Sequence, residues 1–133
     1  MNEDVRAHLR NAYERLKDAE GMLSLARYAG TVNRTYWTMF EAACAMLASR
    51  GVKVESHEGA EIKFGKLFAR TGELLREFGR MLNDAFELRK DADYAIDSRA
   101  EIPCEVAEQE LRKAKEFLAM AEQFLKGAGG DCE

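Results

Sequence analysis

The sequence is poor in the residues that interrupt helices and in those that cross-link a chain. Among its 133 residues there is one proline, and no apolar run is long enough to span a bilayer. The cysteines Cys44, Cys104 and Cys132 are odd in number and lack a CxxC spacing, which argues against a disulfide framework and a zinc site. The charged N-terminus does not resemble a secretory signal. We therefore expect a soluble helical protein in the reducing cytoplasm.

Basic charge and recognisable catalytic motifs are also scarce. The formal net charge is −4, which argues against general coating of nucleic acid, so any such site must be local. The chain has no Gly-rich phosphate loop, nucleophile elbow or dinucleotide fingerprint. Its two histidines, His8 and His57, do not stand at metal-ligand spacing. The sequence predicts no metal and no cofactor, and a conventional small-molecule enzyme is not expected.

The sequence does contain several segments with the periodicity of amphipathic helices. Apolar residues recur at alternating steps of three and four, with charged residues between them. Short connections between such segments favour antiparallel neighbours. We predict an all-α fold, an up-and-down antiparallel bundle of four long helices plus one short helix. A single domain would cover residues 1–126, followed by a flexible tail over residues 127–133. A coiled coil has similar spacing, but short helices and intervening glycines favour a globular bundle.

Capping residues predict where several helices begin. Asn33 is a candidate N-cap for the second helix, after punctuation at Gly30, and Gly51 lies beyond its end. Ser56 is a candidate N-cap for the short third helix. Pro103 stands where a proline at the first helical position would open the last helix.

The second predicted helix combines a largely apolar surface with one arginine near its start. It must be covered on more than one side, either by its own bundle or by a second subunit. Arg34, as a cation in the first turn, would oppose the helix dipole, so it should pair with an acid such as Asp93 or Asp91, or with an anion. Tyr36 and Phe40 point together, a pattern more typical of a core than of a stacking platform.

Charged residues continue the apolar stripe of the fourth helix. Steps of three and four beyond Phe86 lead to Arg89 and Asp93, which are therefore neighbours on the inward-facing side. Where the helix end is solvated, this pair means little. Where it is partly buried, it indicates a site for an anion such as phosphate. Tyr94 lies about 140° around the helix from Arg89, so the two can grip one group only across a helix pair.

Three segments together resemble a known family. They are "NRTYWTMFEAACAMLASRGV", then "SHEG" leading into "FGKLFARTG", and finally "GRMLNDAFELRKDADY". The sequence is similar to the HEPN-domain family, specifically its small stand-alone branch with an R-x-Y-Y-A-M-F helix and an R-x-x-A-D-Y helix. The resemblance spans about residues 30–97. It implies a helical bundle that forms a homodimer, related to toxins that are paired with a minimal nucleotidyltransferase as antitoxin.

The resemblance also implies a candidate site. Active members of the family use an R-x(4–6)-H motif, brought together across the dimer, to cleave RNA without a metal. Arg89 falls where that arginine is expected, but Tyr94 stands where an R-x4-H motif has histidine. A phenol is a poor base at neutral pH, and Asp93 beside Arg89 is driven toward its weakly basic charged form. Arg50 and His57 have the motif spacing but straddle a loop.

Three alternatives follow from the resemblance. The first is a nucleotide-, RNA- or partner-binding component of a toxin–antitoxin-like module, with Arg34, Tyr36, His57 and Arg89 as binding residues. The second is a metal-independent ribonuclease toxin with Arg89, Asp93 and Tyr94 as catalytic residues, or with His57 in place of the missing base. The third is a scaffold without a ligand, in which these polar contacts only fix helix register.

Overall fold

The protein is an all-helical bundle. The computed structural model describes residues 1–70, 72–94 and 101–129. These residues form α1 (Glu3–Ser24), α2 (Tyr28–Ala48), α3 (His57–Phe64), a π-helical turn (Gly65–Ala69), α4 (Glu73–Tyr94) and α5 (Cys104–Gly129). Only α3, with 8 residues, is short. The predicted all-α fold of four long helices and one short helix is confirmed.

Helix α2 occupies the centre of the bundle. It packs against α1, α4 and α5, and α3 also contacts it. Its buried face joins Met39, Met46 and Leu47 to Leu82 of α4 and Phe117 of α5 in one apolar core. The apolar surface of α2 is therefore covered within a single chain. Burial of this helix alone gives no argument for a second subunit.

Three threonines of α2 are buried without leaving a polar group unsatisfied. Thr31, Thr35 and Thr38 have no exposed surface. Their hydroxyls donate to backbone carbonyls three or four residues earlier, at 2.9, 3.1 and 3.0 Å. These bonds remove the cost of burying a hydroxyl.

No helix in the described part of the chain has the length and apolar character needed to cross a membrane.

The start of α2 differs from the prediction. The helix begins at Tyr28, so Asn33 lies inside it and is not its N-cap. Gly30 is also helical, and a β-carbon there would lie 2.9 Å from Sδ of Met22 on α1. Glycine at this position allows α1 and α2 to approach closely rather than ending a helix. Arg34 consequently lies beyond the first turn, and the argument from the helix dipole does not apply to it.

Other predicted boundaries agree more closely. Ser56 caps α3, because its hydroxyl accepts a hydrogen bond of 2.9 Å from the backbone amide of Gly59. Gly51 follows α2 with a φ of 75°, the left-handed conformation that favours glycine. Pro103 directly precedes the first residue of α5. That helix continues to Gly129, three residues beyond the predicted domain boundary at 126. Residues 130–133 lie outside the described part of the chain.

Candidate functional site

Arg89 lies in the last two turns of α4, against a wall of aromatic rings. Its guanidinium carbon is 5.2 Å from the ring centroid of Tyr36, 5.4 Å from Phe86 and 5.9 Å from Trp37. Its Nη1 donates to Oδ2 of Asp93 at 3.2 Å, and its side chain is only 16% exposed. The Nε atom is buried and has no hydrogen-bond partner among the described residues. The result is a partly dehydrated cation, a state that favours a bound anion.

His57 packs on the same aromatic wall. It is the first residue of α3, and its Nδ1 lies 3.0 Å from the hydroxyl of Tyr36. Its ring is 4.6 Å from Trp37 and 5.0 Å from Phe40, measured between ring centroids. Burial, and then the charge of Arg89, lower the pKa of His57 below its ordinary value. The imidazole is therefore neutral at neutral pH. Together these side chains form what we call the Arg89 cluster: Tyr36, Trp37, His57, Phe86, Arg89 and Asp93.

Tyr36 supports the cluster from inside the core. The sequence predicted a binding role, but the residue has no exposed surface for a ligand to touch. Burial, and then the nearby Glu61 carboxylate, raise the pKa of the Tyr36 phenol, which Arg89 partly opposes. The phenol thus stays protonated and fixes the orientation of His57. Its ring also forms part of the surface on which Arg89 lies.

Arg34 is joined to the cluster through Asn33. The sequence suggested a direct pair with Asp93 or Asp91, but Asp18 of α1 makes the ion pair, 3.9 Å from Nε of Arg34. Arg34 also donates to Oδ1 of Asn33. The side-chain amide of Asn33 donates to Oδ2 of Asp93 at 3.0 Å. A polar chain therefore runs from Arg34 through Asn33 and Asp93 to Arg89.

Of two other predicted features, one falls outside the described residues and the other lies elsewhere in the fold. The backbone of Tyr94 ends α4, but its side chain lies outside the described residues, so its proposed catalytic role stays a prediction. The guanidinium of Arg50 lies over Phe124 at 5.2 Å and over Phe68 at 5.7 Å. These are different rings from those around His57, so Arg50 and His57 do not form one site.

Sequence reasoning missed the part played by two residues of α2. The sequence predicts Asn33 as a helix cap and assigns no role to Trp37. The structure joins Asn33 to Asp93 of the cluster and makes the Trp37 ring part of the cluster itself. A signal was present, because Asn33, Trp37 and Phe40 follow one another at steps of four and three. This spacing places them on one face of α2.

Glu61 is a further residue that the sequence did not single out. It lies one turn after His57 on α3, and its Oε1 is buried without a hydrogen-bond partner in the described chain. Burial, and then the charges of Glu87 and Glu58, raise the pKa of Glu61.

Within the ranges that the structure describes, no group of three or more His, Cys, Asp or Glu side chains is arranged to hold a metal ion.

The effect of the Arg89 charge on the pKa of His57 can be measured in solution. His57 should titrate below its ordinary pKa of 6.5, because the folded chain disfavours its protonation. Arg89→Met keeps the side-chain bulk and removes the charge, so the pKa of His57 should rise toward 6.5 without reaching it. Proton NMR of the His57 imidazole gives the midpoint of its titration in each protein. Arg112→Met, on the exposed face of α5, should leave the midpoint unchanged. Equal midpoints in all three proteins would show that Arg89 does not act on His57.

Comparison with known proteins places the chain among helical bundles of one family. The sequence model for the HEPN domain matches residues 5–129. A UPF0332 protein of Thermotoga maritima is 34% identical over 116 residues, which are 87% of this chain and 81% of that protein. Two proteins of Methanocaldococcus jannaschii are each named "Putative toxin". One is 29% identical over 126 residues, 95% of this chain and 92% of the relative. The other is 32% identical over 117 residues, 88% of this chain and 78% of the relative. With a match over almost its whole length and the expected helical fold, the chain belongs to the HEPN domain family.

Proposed function

We propose that the protein is a toxin-like HEPN component whose Arg89 cluster binds a phosphate group of RNA or of a nucleotide. The observation that carries the proposal is the state of Arg89. Its guanidinium is largely buried, bonded to Asp93, and left with a buried Nε that no described residue satisfies. Guanidinium groups recognise phosphate through paired N–H donors. Because Nε itself is buried, a phosphate would contact the part of the Arg89 side chain that remains exposed, which is 16% of it.

A scaffold without a ligand explains this arrangement less well. Leaving a buried donor without a partner costs about 1–3 kcal/mol, more where the group is charged. A residue that served only helix packing would be replaced by an apolar side chain at little cost. The half-exposed rings of Trp37 and Phe86 beside Arg89 also provide surfaces on which a base can stack. Cation and rings together fit a nucleotide better than a bare anion.

A ribonuclease is the second candidate, and the position of His57 favours it. In the tautomer that carries its proton on Nδ1 and donates it to the Tyr36 oxygen, Nε2 has the lone pair that a general base needs. The base would take the proton of a ribose 2′-hydroxyl. The O2′–P bond then forms and the P–O5′ bond breaks, while the protonated imidazole or water supplies a proton to the departing O5′. Arg89 would stabilise the charge on the phosphorane oxygens. Asp93 orients Arg89, and Tyr94 keeps its predicted catalytic role as an alternative.

The proposed assembly follows from the family and from the relatives. Two relatives carry the name "Putative toxin", which supports a toxin-like role for this chain. HEPN toxins are paired with a minimal nucleotidyltransferase antitoxin and act as homodimers, so we propose a cytoplasmic homodimer with such a partner. Light scattering on the purified chain tests the dimer. A monomer at every concentration would contradict that part of the proposal.

One experiment separates binding from cleavage. Purified protein is mixed with a fluorescent single-stranded RNA in EDTA, and with the same RNA carrying 2′-O-methyl groups. We expect both to bind with an affinity that falls as salt rises, because phosphate contacts release counterions. Cleavage of the unmodified RNA alone, lost in His57→Ala, would identify a ribonuclease. Binding of both without cleavage would identify a binding module. Absence of binding to either RNA, to a nucleoside monophosphate or to inorganic phosphate would contradict the phosphate site and leave a partner-binding component or a scaffold.

A further inference from the structure

A second concave site shares Trp37 with the Arg89 cluster. It is a cavity of about 390 Å³ between α1 and α2, lined by Asn11, Arg15, Arg34, Trp37 and Glu41. Ligand pockets in proteins occupy about 300–1,000 Å³, so this cavity is large enough for one nucleotide unit. The residues from α2 follow at steps of three and four, which places them in one row. The two charged residues of α2 between positions 32 and 48 therefore both face this cavity.

The cavity and the Arg89 cluster are directly connected. Trp37 lines the cavity and also lies 5.9 Å from the guanidinium carbon of Arg89. The hydrogen-bonded chain from Arg34 through Asn33 and Asp93 also reaches Arg89. A single ligand longer than one nucleotide would therefore encounter both sites in succession. It would contact the Trp37 ring, which the two sites share.

The charges in the cavity are available to an incoming anion. Arg15 and Arg34 form ion pairs only with Asp18 in the described chain, at 3.4 and 3.9 Å, and the three side chains are 36–45% exposed. Arg34 also donates to Asn33. Such exposed pairs contribute little to stability, so phosphate can replace the carboxylate at low cost. Nε of Arg15 is buried, and its approach to Asp18 does not satisfy the geometry of a hydrogen bond. Two arginines that share one carboxylate leave donors for a phosphate.

Glu41 adds an acceptor at the other end of the row of α2 residues from Arg34. Its Oε1 lies 2.7 Å from Nδ1 of His8, which holds the carboxylate in place, and only 16% of its side chain is exposed. A fixed carboxylate can accept a hydrogen bond from a ribose hydroxyl or from an exocyclic amine of a base. The cavity thus offers a cationic pair, an indole surface and one acceptor. These groups match the three parts of a nucleotide.

We propose that this cavity is a second nucleotide subsite, which binds the residue of single-stranded RNA adjacent to the one whose phosphate contacts Arg89. This inference rests on the proposed function and extends it from a mononucleotide to a continuous strand. Asp18 acts as a substitute for the phosphate until RNA binds. The substrate class is therefore single-stranded RNA rather than a free nucleotide or a duplex, because both sites require an unstacked base.

The chain provides its own probe for this proposal. Trp37 is the single tryptophan, so quenching of its emission reports binding at either site. Hexauridylate and uridine 5′-monophosphate are titrated in EDTA into the wild type, Arg15→Ala/Arg34→Ala and Arg112→Ala. We expect the double variant to bind the hexamer about tenfold or more weakly, since it loses charged hydrogen bonds. Its affinity for the monophosphate should fall by a smaller factor than its affinity for the hexamer, because the variant keeps Arg89. Arg112→Ala should match the wild type for both ligands.

Asp18→Asn supplies an opposite effect that loss of folding cannot imitate. Removing the competing carboxylate should tighten hexamer binding by several-fold, while Asp84→Asn, the same change of charge on α4, should not. Equal hexamer affinity in the wild type and the double arginine variant, with a loss in Arg89→Ala, would overturn the second subsite and leave the proposed function intact. If neither ligand binds the wild type, both proposals are wrong.

Discussion

Arg89→Ala should weaken the binding of single-stranded RNA by about ten- to hundredfold, the loss expected when hydrogen bonds to a charged group are removed. The size of the effect follows from the position of Arg89. Its side chain is 16% exposed and lies against three aromatic rings, so a phosphate bound there is partly removed from water. Charge interactions strengthen under those conditions. Fluorescence anisotropy with a labelled 2′-O-methyl RNA measures the affinity without interference from cleavage.

Two further variants serve as controls for this measurement of affinity. Arg112→Ala removes the same charge from the exposed face of α5 and should change the affinity by less than about twofold at moderate salt. Arg89→Lys keeps the charge but loses the planar fork and its stacking on the rings, so its affinity should fall between those of the wild type and Arg89→Ala. An affinity of Arg89→Ala equal to that of Arg112→Ala would remove Arg89 from the binding site.

Tyr36→Ala should lower the free energy of unfolding by about 3–5 kcal/mol, the usual cost of deleting a buried aromatic ring. Tyr36 has no exposed surface, and its ring lies 5.4 Å from Trp37 and 5.7 Å from Phe86, measured between centroids. Its removal would leave a cavity beneath both Arg89 and His57. Urea denaturation followed by circular dichroism measures the change, with the slope of the transition as a check on two-state behaviour.

Comparison with Tyr36→Phe separates the ring from its hydroxyl. The phenylalanine variant keeps the packing and loses the contact with His57, so its cost should be about 0.5–1.5 kcal/mol. Tyr13→Ala makes the same deletion at a site that is 41% exposed and should cost well under half as much as Tyr36→Ala. Similar losses at positions 13 and 36 would contradict the central place of Tyr36 in the core.

The fold and one half of the site could be predicted from local patterns in the sequence. Helical periodicity gave the number and type of the helices, and the cap of α3 followed from Ser56. The contact between Arg89 and Asp93 joins residues one helical turn apart, which spacing alone predicts. All of these features depend on residues within a few positions of each other.

The other half of the site depends on contacts between segments that are distant in the sequence. His57 and Trp37 meet because α3 docks on α2, and no periodicity within either helix contains that information. The start of α2 was misplaced because asparagine and glycine are common at helix ends. At Gly30, close packing against Met22 determines the local structure instead. Asn33 likewise has a tertiary partner, Asp93, that lies 60 positions further along the chain.

Because the residues of the site are far apart in the sequence, a ligand can bind only when the chain is folded. The Arg89 cluster joins α2, α3 and α4, so the unfolded chain contains none of the site and cannot hold the ligand. Any ligand of this site consequently binds the native state alone and stabilises it, by about 2.7 kcal/mol when its concentration is a hundred times its dissociation constant. The melting temperature of the protein is therefore an indicator of its ligand, and it requires no assumption about catalysis.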